Sequence, residues 1–291
     1  MKPNQRVIYA DRIENVIRHL VEHDPGRPLP ALTELAKVAN LSEFHFHRIY
    51  RLMTGETPAD TVRRLRLARA VPELAGSSGS VTAAAGAAGY ATGPAFTRAL
   101  KAQTGVSGLQ ARRHTAAMQT LIERLRAPAA GTDKTSAPIK VEITSFAPLE
   151  VIALRNVGDY AELNAAYTRL FERVFSVASP EQIRGIWGVH YDDPASAVPD
   201  ECRFDCCLEV AGLAPVPDGL EPRTLGGGPV ARLTHYGSYD DIATTIDTLY
   251  HVVIDDLDRA PAAAPLFVHY RHDPEEVAQA DLEAVIYLPL T

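Results

Sequence analysis

The chain has 291 residues, 46% hydrophobic and 22% charged, with a net charge of −7; this length suits two cores better than one. No apolar run approaches the ~20 residues of a membrane span, and Met1-Lys2-Pro3-Asn4-Gln5 leads into a polar helix pattern, not an apolar leader, so a cytoplasmic protein without a membrane partner is expected. The charge sums two unlike halves, since residues 1–126 hold 18 Lys and Arg against 10 Asp and Glu while residues 127–291 hold 11 against 26. A basic half approaches phosphates at low cost, whereas an acidic half is repelled by DNA and suits small ligands or protein surfaces.

The basic half reads as helix throughout. Ile13, Val16, Ile17 and Leu20 recur at helical spacing until Asp24-Pro25-Gly26-Arg27-Pro28 stops the run. A short helix over 32–39 leads through Asn40-Leu41-Ser42 to a second over 43–53, with Ser42 as its cap and Glu43 at its positive end. Helix, short turn, helix is the outline of a DNA-binding helix-turn-helix. One long helix over 58–74 carries Arg63, Arg64, Arg66 and Arg69, and a second pair follows: 81–88, a turn at Gly89-Tyr90-Ala91, and a helix capped by Thr92 with Pro94 in its first turn.

These two units are copies. Phe46-His47-Arg48-Ile49-Tyr50-Arg51-Leu52-Met53-Thr54-Gly55 and Phe96-Thr97-Arg98-Ala99-Leu100-Lys101-Ala102-Gln103-Thr104-Gly105 keep the aromatic, the arginine, a second basic residue and the closing Thr-Gly at a constant spacing of 50. Helices fit the major groove, whose successive faces recur about every 34–36 Å, so two readers on a rigid connector can do what a dimer does on double-stranded DNA. In the first reader Phe46, Ile49 and Tyr50 share an inward stripe, leaving Phe44, His45, His47, Arg48 and Arg51 for DNA or solvent. Arg48 is the best base-reading candidate, because a guanidinium pairs bidentately with guanine. In the second, Phe96 and Leu100 face inward and Thr97, Arg98 and Lys101 outward. Any one exposed arginine is as readily a solvated surface charge; the repeat carries the reading.

Residues 7–114 resemble the DNA-binding domain of the AraC/XylS family of transcription regulators. The likeness rests on Leu41-Ser42, Phe46, Arg48, Tyr50-Arg51, Thr54-Gly55 and Arg64-Leu65-Arg66-Leu67-Ala68-Arg69-Ala70, then Gly89-Tyr90, Phe96-Thr97-Arg98, Lys101 and Thr104-Gly105-Val106-Ser107. It implies base contacts from Phe44, His47 and Arg48, with RNA polymerase as a partner. In the second reader the matching positions are Gly93, Pro94 and Ala95, so only Arg98 there can bond to a base edge. Ala84 stands where the family has a large aliphatic residue and Gly108 where it has proline, which implies a less tightly packed second reader.

Residues 127–138, Ala-Pro-Ala-Ala-Gly-Thr-Asp-Lys-Thr-Ser-Ala-Pro, read as a linker after a helix ending near Arg126. Beyond it a second repeat has a period close to 79: Val157-Gly158-Asp159-Tyr160 matches Tyr236-Gly237-Ser238-Tyr239, and His190-Tyr191 matches His269-Tyr270. Strands are expected over 150–155, 185–191 and 203–210 in one copy and 229–235, 266–271 and 282–290 in the other. The whole is a two-domain chain: an all-α tandem helix-turn-helix domain over 1–126, then an α+β domain over 139–291 of duplicated βαββ units, one antiparallel sheet with helices on one face. A ligand would sit on the open face or at the seam between copies. Cys202 and Cys206, about 13 Å apart on a strand at roughly 3.3 Å per residue, cannot form a disulfide. With Cys207 they read as reduced core thiols, and neither a metal nor a cofactor is expected.

A pocket lined by Trp187, Tyr191, Tyr236, Phe267, Tyr270 and Tyr287 would stack on an aromatic effector and favour a cation through the ring quadrupoles, although each ring also suits a sheet-helix core. Trp187, the single tryptophan, lies beside Gly185 and Gly188, which open space around it.

Residues 139–291 are similar to the gyrase-inhibitor-like (GyrI-like) effector-binding domains, through Asn156-Val157-Gly158-Asp159-Tyr160, Tyr191-Asp192-Asp193-Pro194, His235-Tyr236-Gly237-Ser238-Tyr239-Asp240 and Ile286-Tyr287-Leu288-Pro289-Leu290. The resemblance implies a pocket between the repeats for bulky, often aromatic and cationic compounds. The family's two acidic positions are Val285 and Val268 here. Asp205, equivalent to Val285 at a spacing of 80, and Glu283, on the same strand face, are the candidate replacements. Three functions compete: a DNA-binding regulator that senses a small aromatic molecule; a hydrolase of a reactive small molecule using His190, Tyr191, Asp205, His269 or Glu283 as acid-base groups; and a protein-interaction module. The basic half favours the first, and no nucleophile motif or catalytic residue is assigned.

Overall fold

The structure is a computed structural model whose described residues are 4–23, 30–74, 80–106, 125, 140–212 and 215–291. The linker expected at 127–138, Gly108 and Arg126 lie outside them.

The N-terminal region is helical, as expected. Helix α1 (Gln5–Glu22) is capped by Asn4 and buries Tyr9, Ile13, Val16 and Leu20. The first helix-turn-helix pairs α2 (Leu32–Val38) with α3 (Glu43–Thr54), and α4 (Pro58–Ala70), held by a Thr57–Asp60 capping box, runs on through a 3₁₀ turn to Leu74. The second pairs α5 (Val81–Ala87) with α6 (Gly93–Thr104). The repeated Thr-Gly is explained by the same ending in both readers. Gly55 and Gly105 each close their helix in the left-handed region at φ 74°, where only glycine is unstrained. The preceding threonine hydroxyls donate back into the helix, Thr54 to the Tyr50 carbonyl (2.8 Å) and Thr104 to that of Leu100 (2.6 Å). Ser42 occupies the N-cap of α3, but its hydroxyl makes no capping bond.

The C-terminal region forms one antiparallel sheet. Its elements are β1 (Glu142–Phe146), β2 (Leu149–Val157), α7 (Leu163–Phe175), β3 (Ile183–His190) and β4 (Arg203–Val210), then β5 (Glu221–Leu225), β6 (Gly228–Tyr236), α8 (Ile242–His251), β7 (Leu266–Tyr270) and β8 (Glu283–Pro289). All six expected strands form, in the order β1-β6-β8-β7-β3-β4-β2-β5, with α7 and α8 on one face. Each copy is ββαββ rather than βαββ. The two extra strands exchange between the copies: β1 pairs with β6 and β5 with β2. Both are five-residue edge strands whose exposed runs carry no clean alternation, which hid them in the sequence.

The copies meet where β3 pairs with β7, Gly188 opposite Val268. The spacing of 79 seen at the helices becomes 80 in the later strands, where β4 and β8 start at Arg203 and Glu283 and β3 and β7 end at His190 and Tyr270. His190 is therefore equivalent to Tyr270 rather than to His269, and because a shift of one residue changes sheet face, the paired His-Tyr motif of the sequence is not a structural pair.

The helical region rests on the helix-bearing side of the sheet. Tyr9, Ile13, Val16, Phe46 and Ile49 share one hydrophobic core with Ile246, Leu249 and Tyr250 of α8 and with Val253 and Ile254 of the π turn that extends it. Each such side chain contributes roughly 1.5–3 kcal/mol by leaving water. The opposite face of the sheet carries a separate apolar cluster around Trp187, Phe267 and Tyr287.

Candidate functional site: a seam cavity closed by a recognition helix

A cavity of about 470 Å³ lies at the seam, between α7 and α8 and above β3 and β7. Tyr160, Tyr167, Tyr239 and Tyr270 supply aromatic walls, Ile186, Ile242 and Ile246 aliphatic ones, and Arg48, His190 and His272 the inner polar groups. Gly188 makes the aromatic wall possible, since a Cβ there would stand 2.4 Å from the Phe204 ring and 3.0 Å from both Tyr167 and Tyr270. The phenols are committed to the protein. Tyr160 donates to the Arg203 carbonyl (3.0 Å), Tyr167 to that of Trp187 (2.8 Å) and Tyr239 to that of Glu283 (2.9 Å), while burial pushes all three phenols up and keeps them neutral. Burial first, and then the Arg48 charge, lower His190 to about 3, so it too is neutral.

Arg48 belongs to α3, the recognition helix of the first reader. It is 3% exposed. Its Nη1 donates to Asp247 (2.9 Å) and lies 3.7 Å from Asp193, while Arg51 donates to Asp247 (2.5 Å) and lies 3.4 Å from Asp193. Burial opposes the charge of Arg48, but the two aspartates outweigh it and raise its pKa. His45, one turn earlier, contacts the Tyr250 hydroxyl (2.5 Å) and the Ala262 carbonyl (2.6 Å) and is pushed down to about 4, chiefly by burial. Phe44 packs edge-on against Tyr191, and Glu43 pairs with Arg203 at 3.3 Å. The expectation that His45 and Arg48 face DNA or solvent is therefore corrected for this conformation. A second apolar surface, α8, covers the outer side of α3, which periodicity within α3 alone cannot reveal. His47 and Arg51 are partly covered, Thr97 is half-buried, and Arg98 and Lys101 are exposed.

Comparison with known proteins agrees with this architecture. Residues 139–291 match the model of the GyrI-like small molecule binding domain, and residues 35–124 match a helix-turn-helix domain. The chain belongs to the GyrI-like family. It is 30% identical over 160 residues to the probable transcriptional regulator YgiV of Escherichia coli K12, covering 54% of this chain and 99% of that one. It is 27% identical over 140 residues to a DNA gyrase inhibitor of Edwardsiella ictaluri, covering 46% and 88%. Among solved structures, the EcmrR C-terminal domain aligns with a TM-score of 0.46 at 12% identity, covering 53% of this chain and 98% of that one. The chain is thus a helix-turn-helix regulator with a GyrI-like small-molecule-binding domain.

Within the GyrI-like domain the expected effector residues do not form one site. Strand parity puts Tyr270 on the cavity side and Trp187, Phe267, Tyr287, Asp205, Tyr236 and Glu283 on the other. There Phe267 and Tyr287 stack at 5.1 Å, Phe146 packs edge-on against both, and Trp187 stacks on His269 at 4.0 Å. Gly185 accommodates the last pair, because a Cβ on it would lie 2.7 Å from Trp187 Nε1. Asp205 is fully buried in ion pairs with Arg155 and Arg223 and accepts from the Tyr191 hydroxyl (2.8 Å), so its charge is already matched; burial, and then this bond, push Tyr191 up to about 12. Tyr236 is 72% exposed, cross-strand from Glu283. The candidate hydrolase groups separate in the same way, His190 on one face and Asp205, His269 and Glu283 on the other. Among the described residues no cluster of three potential metal ligands occurs, and no helix is long and apolar enough to cross a membrane. Sequence reasoning missed Tyr160, Tyr167, Tyr239 and His272 as cavity residues. The signal available for two of them was the repeated Gly-x-Tyr turn, which places Tyr160 and Tyr239 at symmetric positions beside the seam.

Proposed function

We propose that this protein is a one-component transcription regulator whose GyrI-like domain senses a small aromatic molecule in the seam cavity and, through Arg48, sets whether the first reader is free for double-stranded DNA. The observation that carries the reading is the double position of Arg48: it is the side chain best suited to reading a base, and it lines the cavity while paired with Asp193 and Asp247. A helix held that way cannot enter a major groove, so docking and DNA binding by the first reader exclude one another. Aromatic selectivity follows from walls in which Tyr160, Tyr167 and Tyr239 spend their hydroxyls on backbone carbonyls and Tyr270 faces His190, leaving ring faces for stacking. RNA polymerase is the partner whose access the promoter-bound protein would alter.

The test is fluorescence anisotropy on a duplex selected from a randomised pool. Replacing Asp193 and Asp247 together by Asn should raise DNA affinity by at least roughly tenfold, since a buried arginine without its counter-charges no longer favours the docked state. Equal affinity of variant and wild type would contradict the reading.

A further inference from the structure

We infer that the π turn at the end of α8 is a clasp for the first turn of α1, a second hold on the helical domain that works without Arg48, and that the one residue added to the second copy builds it. This rests on the docking of the first reader against α8 and goes on to name a device that regulates it.

The two copies show the device by their difference. α7 and α8 begin at a spacing of 79, at Leu163 and Ile242, whereas β3 and β7 end at a spacing of 80, so the second copy holds one more residue between helix and strand. In the first copy α7 stays α-helical to Phe175. In the second the equivalent residue, Ile254, lies within the π turn Val252–Asp256, closed by Leu257 N donating to the Val252 carbonyl at 3.0 Å. A π turn takes up one residue more than an α turn, and such turns concentrate at functional sites. Asp258 follows in the left-handed region at φ 50°, a conformation that costs a non-glycine residue stability and persists where its surroundings hold it.

The turn aims two carboxylates at α1. Asp258 Oδ1 accepts from the Gln5 backbone N–H at 2.6 Å and Asp255 Oδ2 from Arg6 Nη1 at 2.5 Å, with His251 Nδ1 2.6 Å from the same oxygen. α1 has no acidic residue in its own first turn. Asn4 answers the Val7 N–H from within the helical domain, but the Gln5 N–H and the positive end of the helix dipole are answered by the acidic one. Beneath the carboxylates, Val253 and Ile254 are 0% and 1% exposed and join Tyr9 and Ile13 in the core that also holds Phe46 and Ile49 of α3. What holds α1 therefore holds the first reader. The first copy lacks these parts: Ser176 stands at the position of Asp255, and Phe175, equivalent to Ile254, is 43% exposed.

Hydrogen exchange of α8, followed by mass spectrometry on the full-length protein without DNA, and anisotropy on the selected duplex test the clasp. Asp255→Asn with Asp258→Gly removes both carboxylates, and glycine keeps the left-handed backbone without strain. α8 should exchange faster in this variant, and DNA affinity should rise roughly threefold to tenfold, the range for one ion pair together with one carboxylate at a helix N-terminus. Deleting Asp256, which restores the spacing of 79, should do at least as much while leaving the fluorescence of Trp187, on the far face of the sheet, unchanged. Exchange as slow in the carboxylate variant as in wild type, while Asp193→Asn with Asp247→Asn speeds it, would overturn the clasp and leave the docked reader standing. Faster exchange with unchanged DNA affinity would overturn the control of DNA binding and leave the clasp standing. Exchange unchanged in both variants would overturn both.

Discussion

The two readers share a sequence signature and differ in what covers it. Arg48 and Arg98 stand at equivalent positions fifty residues apart, yet Arg48 is 3% exposed between two aspartates of the other domain while Arg98 lies in solvent. Both helices close with the same Thr-Gly ending and bury the same aromatic, Phe46 or Phe96. A recognition helix specifies its own inner face; whether its outer face is available is decided by a partner surface far away in sequence. Here that surface belongs to the acidic half, and the charge asymmetry of the chain is spent partly on itself.

The comparison can be broken most strongly at Asp193 and Asp247. Removing the partners of a buried charge costs about 3–5 kcal/mol, so replacing both by Asn should make the first reader as available as the second, with the gain in DNA affinity stated above and a lower Tm in a thermal melt. Acidification is the next lever. His45 faces the Tyr250 hydroxyl, the Ala262 carbonyl and Arg48 when docked and is held near 4 there, but an undocked His45 titrates near 6.5. The docked state therefore keeps its full stability above about pH 6.5 and loses it as the pH falls from there towards 4, up to about tenfold per unit. DNA affinity measured between pH 7 and 5.5 should rise accordingly, and His45→Gln should flatten that dependence. A milder break is Tyr250→Phe, which removes one hydrogen bond to His45 worth roughly 1 kcal/mol and should raise DNA affinity about fivefold in the same assay.

The smallest effect belongs to the exposed reader. Arg98→Ala and Lys101→Ala should leave the Tm unchanged and each lower the slope of log affinity against log salt by about one. A larger loss for either of them than the gain from Asp193→Asn with Asp247→Asn would mean that the second reader carries the binding and the docking of the first is incidental.

Local rules recovered most of the fold. Both helix-turn-helix units, their closing glycines and six strands were legible because each depends on residues near in sequence: periodicity, caps and the Gly-x-Tyr turns. The exchanged strands β1 and β5 were not, since Glu142–Phe146 and Glu221–Leu225 are short edge segments that borrow their register from the opposite copy. The site was less legible than the fold. Tyr270 and the seam were foreseen, but the aromatics grouped with it lie across the sheet: Phe267 is three residues from Tyr270 on β7 and so faces the other way, and one inserted residue between the helix and the third strand of the second copy separates Tyr270 from Tyr191. Nothing within α3 distinguishes an arginine destined for a guanine from one held by Asp193 and Asp247; that is a property of the two domains together.

The most direct measurement is the titration of His45 by nuclear magnetic resonance in the full-length protein without DNA. An imidazole titrating near 4, which moves towards 6.5 when Asp193 and Asp247 are replaced by Asn, is the result predicted for a first reader docked on α8. An imidazole already titrating near 6.5 in the wild-type protein would show that face of α3 open to water and would contradict the docked reader on which the proposed control rests.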